Sequence, residues 1–242
     1  MFLIINRYDL TNLLRYIRPR NLQIYQQAFI HRSALKKIQR QCDTYFAQSN
    51  ERLEFLGDSV LNLIVTSYLY NRFPHENEGF LTKLRIKLVK GSTLATFAKQ
   101  IGIGNYIVLS NSTLLNNNIL ENAFEALLGA IFMDYFYTGC EMFYVSSFLY
   151  NLFDEFVDWD NILKDDNYKD ILMRHLQKLQ IPMPKYNVES TMGQAHCPIF
   201  KVTLEINAEL SSTKEAPSKR EAEQACAMDI LDKMNVELTS IK

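Results

Sequence analysis

Apolar residues recur at helical spacing almost without interruption as far as Trp159, and beyond it the spacing changes. That change of period restricts the chain to two parts built on different local geometry. In the first part, residues 9–17 and 23–30 read as short amphipathic helices. A long helical run over residues 51–72 stops short of Pro74, whose ring and missing N–H cannot continue it. Residues 80–89 keep the helical period until Gly91 and Ser92 break it, with Ser92 the expected N-cap of a new helix. Residues 119–137 and 141–156 complete an all-α block with negligible strand-like pattern.

Residues 154–167, rich in acids and Asn, read as a connection. A helix over residues 168–179 is closed by the Pro182 and Pro184 turn. Residues 186–190 and 199–206 then alternate apolar and polar side chains, the mark of half-exposed strands, and residues 209–213 can add a third. Residues 219–234 form a last helix with an apolar face at Ala222, Ala225, Cys226, Ile230 and Leu231. The expected architecture is thus an all-α domain over residues 1–158, a linker at 159–166, and a small α+β domain, α-β-β-β-α, over 167–236.

Hydrophobic residues make up 48% of the 242, enough to build cores and too many for a disordered chain. The net charge of -1 excludes a globally basic nucleic-acid binder, so any phosphate contact must come from local patches of Lys and Arg. No apolar run approaches the roughly 18 residues of a membrane span, so no membrane partner is expected. Arg7 and Asp9 fall too early for a secretory leader, and the four cysteines are scattered without metal or redox spacing. An intracellular, cytoplasmic setting is expected, with a nuclear or viral one left open.

The chemistry concentrates in residues 51–61. At 3.6 residues per turn, Glu51, Glu54 and Asp58 share one stripe of a helix whose other positions, Leu53, Phe55, Leu56, Val60 and Leu61, are apolar. A helix apolar over most of its circumference is expected to be buried. Stacked carboxylates there repel one another and lose hydration, so they call for a cation or for Lys and Arg partners. A second apolar run carries Glu125, with Asn122 at i−3 and Glu121 at i−4. Gly57 and Gly129 would let the two helices approach closely. The bland alternative pairs these acids with Arg52, Arg85 or Lys87. Three acids on one stripe and a fourth elsewhere favour a metal site, and oxygen-only donors favour Mg²⁺ or Mn²⁺ over zinc.

The run from Glu51 to Leu61 resembles the signature of the ribonuclease III family. Ala28-Phe29-Ile30-His31-Arg32-Ser33, the stretch from Glu78 to Arg85 with Leu88-Val89, and residues 119–130 resemble its flanking motifs in the same order. The resemblance implies that Glu54, Asp58 and Glu125 are metal ligands, with Asp58 and Glu125 catalytic and Glu51 an accessory acid at the edge. It places Asn122 where the family normally has an Asp ligand. Three readings follow: an enzyme that works with Asn, at higher metal concentration or with help from Glu121; a natural binder with weak or no cleavage; or an engineered substitution. The resemblance also implies hydrolysis of double-stranded RNA with Mg²⁺, for which Mn²⁺ can substitute, and no small-molecule cofactor. It implies a homodimer that leaves 5′-phosphates and short 3′ overhangs, with Phe55 reaching the partner subunit. His31 is given no catalytic role.

Residues 168–234 resemble a double-stranded-RNA-binding domain, most specifically at Ser218-Lys219-Arg220-Glu221-Ala222. Ser218 is a plausible N-cap, so Lys219 and Arg220 stand where free N–H groups already favour anions. By resemblance, Arg174 and Gln177 face one minor groove and His196 the next, while Lys214, Lys219 and Arg220 clamp the phosphates between. The chain departs from the pattern at Met173 and at Thr213-Lys214-Glu215-Ala216-Pro217, where Glu215 adds an adverse charge. The competing function is therefore a duplex-RNA-binding protein that cuts weakly or not at all.

Overall fold

The computed structural model describes residues 5–15, 17–36, 38, 48–163, 167–192, 198–207 and 210–236. The chain divides into two compact units, Met1–Ile162 and Leu163–Ile241.

In the first unit, α1 (Arg7–Leu14) and α2 (Leu22–Ala28) are each started by an asparagine, Asn6 or Asn21, whose side chain accepts an amide of the first turn. The long helix α3 (Glu51–Arg72) ends before Pro74, where the sequence pattern places its end. Its entry is held differently. Asn50 is buried and makes no side-chain cap, but its N–H donates to the Ile30 carbonyl at 2.9 Å and its carbonyl accepts from Glu54 N–H. Asn77 caps α4 (Glu78–Leu88).

Helix α5 (Gly91–Gln100) begins before Ser92, contrary to the expected cap. Lys90 occupies the N-cap position, and its carbonyl accepts from Thr93 and Leu94 N–H, which draws Gly91 and Ser92 into the first turn. Asn116 caps α6 (Asn117–Tyr135), which stops short of residue 137 because a 3-10 turn, Phe136–Thr138, leads to Gly139 at φ 69°. Next come α7 (Glu141–Phe156) and a short α8 (Trp159–Ile162). Residues 159–162 were expected in the linker. They coil instead because the Trp159 ring finds Tyr68 and Phe73, and the Arg72 guanidinium lies 4.2 Å above its centre.

Helix α6 is the axis of this unit. Eleven of its residues are buried, and its broadest contacts are with α3 and α5. On α3 the buried positions Leu53, Gly57, Val60, Leu61, Ile64, Val65 and Leu69 form a stripe at helical spacing. The rest of α3 is not buried as its composition suggested: Phe55, Leu63 and Tyr70 face outward. Among the described residues a parallel bridge joins Ile30 to Val108 outside the sheet.

The second unit runs α9 (Tyr168–Lys178), β1 (Lys185–Met192), β2 (Ile199–Glu205), β3 (Ser211–Ala216), α10 (Lys219–Lys233). Its three strands form an antiparallel sheet in the order β1-β2-β3, with an irregularity in β1 between Val188 and Ser190. Leu172, Leu176, Val202, Leu204, Cys226, Ile230 and Leu231 make the core. Ala227 joins it, while Ala225, expected there, is half-buried. The third strand runs over Ser211–Ala216, and residue 209, where its start is expected, lies outside the described residues. Ahead of the strand Asn207 accepts the Leu210 N–H and Ile206 donates to the Leu210 carbonyl. Among the described residues no helix is long and apolar enough to cross a membrane.

Candidate active site

The site is made by the crossing of α3 and α6. A methyl group on Gly57 would overlap the carbonyl of Glu125, and one on Gly129 would overlap the carbonyl of Leu53. The two backbones therefore touch, running antiparallel, with only hydrogen between them. This approach sets Glu54 and Asp58 of α3 against Asn122 and Glu125 of α6, the four side chains read from the sequence as ligands. Glu54, Glu121, Asn122 and Glu125 are half-buried, and Asp58 is exposed.

The acids raise one another. Loss of hydration, followed by the charges of Asp58, Glu121 and Glu54, pushes the Glu125 carboxyl up from its ordinary 4.5 to about 8. Burial and the charges of Glu51 and Glu121 raise Glu54, against a smaller opposing pull from Arg32 and the Asn122 amide. Burial and Asp58 raise Glu121. Among the described residues no Lys or Arg pairs with Glu54, Asp58, Glu121 or Glu125. Arg85 reaches the Thr66 hydroxyl at 3.4 Å and Lys87 the Ile162 carbonyl at 3.2 Å. At the edge Glu51 faces Arg32, a cation outside the expected set of Arg52, Arg85 and Lys87, at 3.3 Å and accepts from the Ser49 hydroxyl. Asp58 accepts from the Asn62 amide at 2.8 Å, a partner the sequence pattern did not single out.

Among the described residues no three His, Cys, Asp or Glu side chains already converge as a metal cage. The chemistry of the donor set nonetheless fits a hard divalent cation: oxygen donors alone, partly dehydrated, mutually repelling and, among the described residues, without an ion pair to Lys or Arg. Sequence reading gave Glu121 only a secondary place. Its i−4 spacing from Glu125 was the available signal, and its effect on Glu54 and Glu125 emerges only from the fold. Phe55, one residue from Glu54, is 79% exposed, which removes the reading that it is ordinary core. His31 is a structural residue: its Nδ1 accepts the Ser33 N–H and starts the Arg32–Ala34 turn.

In the second unit Ser218 accepts the Glu221 N–H, so Lys219 and Arg220 do stand on the first turn of α10. Arg220 is exposed, and no ion pair is recorded for it among the described residues. Other candidate cations have internal partners: Lys214 lies 2.8 Å from Asp229, Lys219 3.8 Å from Glu223, and Arg174 2.9 Å from Asp170. The acids of these pairs are only partly exposed, and Lys214 with Lys233 holds the Asp229 carboxyl well below its ordinary value. Gln177 is exposed one turn beyond Arg174 on α9. His196 lies outside the described residues.

The chain matches the family model of ribonuclease-III-like domains over residues 21–152 and that of the double-stranded RNA binding motif over residues 168–234. A protein named Ribonuclease 3 from Wolbachia pipientis is 39% identical over 196 residues, covering 77% of this chain and 80% of its own. Ribonuclease 3 of Shewanella denitrificans is 36% identical over 224 residues, covering 89% of this chain and 91% of its own. A protein of Paramecium bursaria Chlorella virus 1 is 37% identical over 191 residues, covering 77% and 67%. The crystal structure of the nuclease domain of ribonuclease III from Campylobacter jejuni is similar at a TM-score of 0.51 and 30% identity, covering 62% of this chain and 96% of its own. A second structure of that domain is described as showing flexibility in a region involved in dimer formation.

Proposed function

Because the chain belongs to the ribonuclease III family and is an endoribonuclease of that type with a double-stranded-RNA-binding domain, we propose that it acts as a Mg²⁺-dependent homodimer. Each subunit would cut one strand of an RNA duplex, leaving a 5′-phosphate and a short 3′ overhang. The observation that carries this reading is the set of acids at the α3–α6 crossing, Glu54, Asp58, Glu121 and Glu125, with which no Lys or Arg among the described residues forms an ion pair. A scaffold gains nothing from repelling carboxylates, whereas a divalent cation relieves the repulsion.

Glu54, Asp58 and Glu125 would hold the cation, with the Asn122 carbonyl oxygen as a neutral donor. Mn²⁺ would serve in place of Mg²⁺. When bound, the cation supplies stabilisation of phosphate charge and an activated water. The protein's part is to fix these oxygens on two helices that cannot slide, since Gly57 and Gly129 lock the crossing. The unit before residue 163 carries the hydrolysis. The unit after it grips the duplex by shape, with Arg174, Gln177, Lys214, Lys219 and Arg220 toward the RNA.

The exposed Phe55 supports a second copy as its cover, as does the dimer-forming region described for the Campylobacter domain. One observation favours the rival, a binder with weak cleavage: the Asn122 amide sits against Glu54 and brings no charge of its own. Cleavage of a long labelled duplex, titrated with Mg²⁺ and Mn²⁺, separates the two. Metal-dependent cutting by the parent, lost in Glu125→Gln, is the expected result. Binding without cutting, with activity appearing in Asn122→Asp, would establish the rival.

A further inference from the structure

Helix α6 brings only one carboxylate, Glu125, to the positions proposed above as ligands, because Asn122 is neutral. The residue before Asn122 is acidic, and its carboxylate packs closely on the start of another helix. The Glu121 carboxylate lies directly over the Cα of Gly91, so that a side chain at position 91 would overlap both its oxygens and its carboxyl carbon. Glu121 is thus rooted on one helix and seated against the first residue of another. No side chain caps the start of α5, and its first turn holds no acid of its own. Negative charge is therefore welcome there.

Its root on α6, one turn from Glu125, also keeps Glu121 beside the α3–α6 crossing. Asp58 bears on Glu121, and Glu121 bears in turn on Glu54 and on Glu125. One turn separates it from Glu125, so the two lie on one stripe of α6 with Asn122 alongside. No Lys or Arg among the described residues pairs with it. A carboxylate that only anchored α5 would have no reason to share the field of three other acids.

We propose that Glu121 is the fourth carboxylate of the metal site, restoring the negative charge that Asn122 lacks, and that glycine at position 91 makes room for it. The proposal rests on the metal-site reading given above. It predicts a specific trade between adjacent positions: Glu121 matters when residue 122 is Asn and becomes largely dispensable when it is Asp.

The test is Mn²⁺ binding to the full chain without RNA, followed by titration calorimetry and by the electron-spin signal of free Mn²⁺. The parent, Glu125→Gln, Glu121→Gln, Asn122→Asp and the double variant Glu121→Gln/Asn122→Asp are compared, with far-ultraviolet circular dichroism confirming that each is folded. The expected result is saturable binding by the parent that is lost in Glu125→Gln. Glu121→Gln should weaken affinity about ten-fold or more. The double variant should recover most of that loss and differ little from Asn122→Asp. Unchanged affinity in Glu121→Gln, with a lower melting temperature, would reduce Glu121 to an anchor for α5 and overturn the proposal while leaving the metal site standing. Loss without recovery in the double variant would overturn the trade. No saturable binding by the parent would overturn the metal-site reading itself, and this proposal with it.

Discussion

At the scale of single residues, Glu125 shows how a side chain can oppose the fold it belongs to. Its carboxyl, about 8 in the folded metal-free protein against 4.5 ordinarily, binds a proton more tightly in the native state than in the unfolded one. Its stabilising effect is therefore complete below about pH 4.5 and is lost as the pH rises toward about 8. Glu125→Gln should remove this dependence, raising metal-free stability at about pH 8 by about 1 kcal/mol after allowance for partial solvent screening. The same variant should lose cleavage by about two orders of magnitude or more. Melting curves at several pH values, with chelator and then with Mg²⁺, check the first part. A parent whose stability is flat with pH, or unmoved by Mg²⁺ at about pH 8, would contradict it.

Between elements, the deciding feature is the absence of side chains. A Gly→Ala change inside a helix ordinarily gains about 0.5–1 kcal/mol because glycine loses more freedom on folding. At Gly57 the sign should reverse, since the added methyl would meet the Glu125 backbone carbonyl, which cannot rotate away. Gly57→Ala should therefore destabilise the first unit by about 2–3 kcal/mol. Its cleavage should fall as well, because separating α3 from α6 separates the acids. Gly79, which lies outside the crossing, is the control: Gly79→Ala should cost less, because a methyl there meets only the Asn77 Oδ1 and at most weakens its cap on the Phe80 N–H. Denaturant titration of both variants makes the comparison.

For the whole molecule, the exposed face of α3 matters most. Phe55, Leu63 and Tyr70 are large apolar side chains on the face of α3 turned away from its own core. Such a face fits the second copy proposed above. Phe55→Glu should shift the protein from dimer to monomer in sedimentation equilibrium and abolish double-strand cutting. Its duplex binding should persist in part, because the second unit has its own core and its own cations. A Phe55→Glu protein that stays dimeric would place the interface elsewhere.

Much of this was legible in the chain. The period of apolar residues marked out α3, α6, α7 and the α-β-β-β-α order, since side chains at i, i+3 and i+4 share a helix face whatever surrounds them. The same spacing put Glu51, Glu54 and Asp58 on one stripe, whereas Glu125, on another helix, was joined to them as a ligand by the resemblance to the ribonuclease III family. Features set by distant neighbours were not legible. Helix α5 starts at Gly91 rather than Ser92, and residues 159–162 coil onto Tyr68 and Phe73. Nor did composition reveal that Phe55 faces outward, or that Arg85 reaches Thr66 and Lys87 the Ile162 carbonyl. Sequence by itself determined which residues lie on one face of a helix, because that depends only on local geometry. Tertiary structure alone decided which faces meet and which carboxylates lose water and confront one another, because hydration and charge interaction depend on groups far apart in the chain.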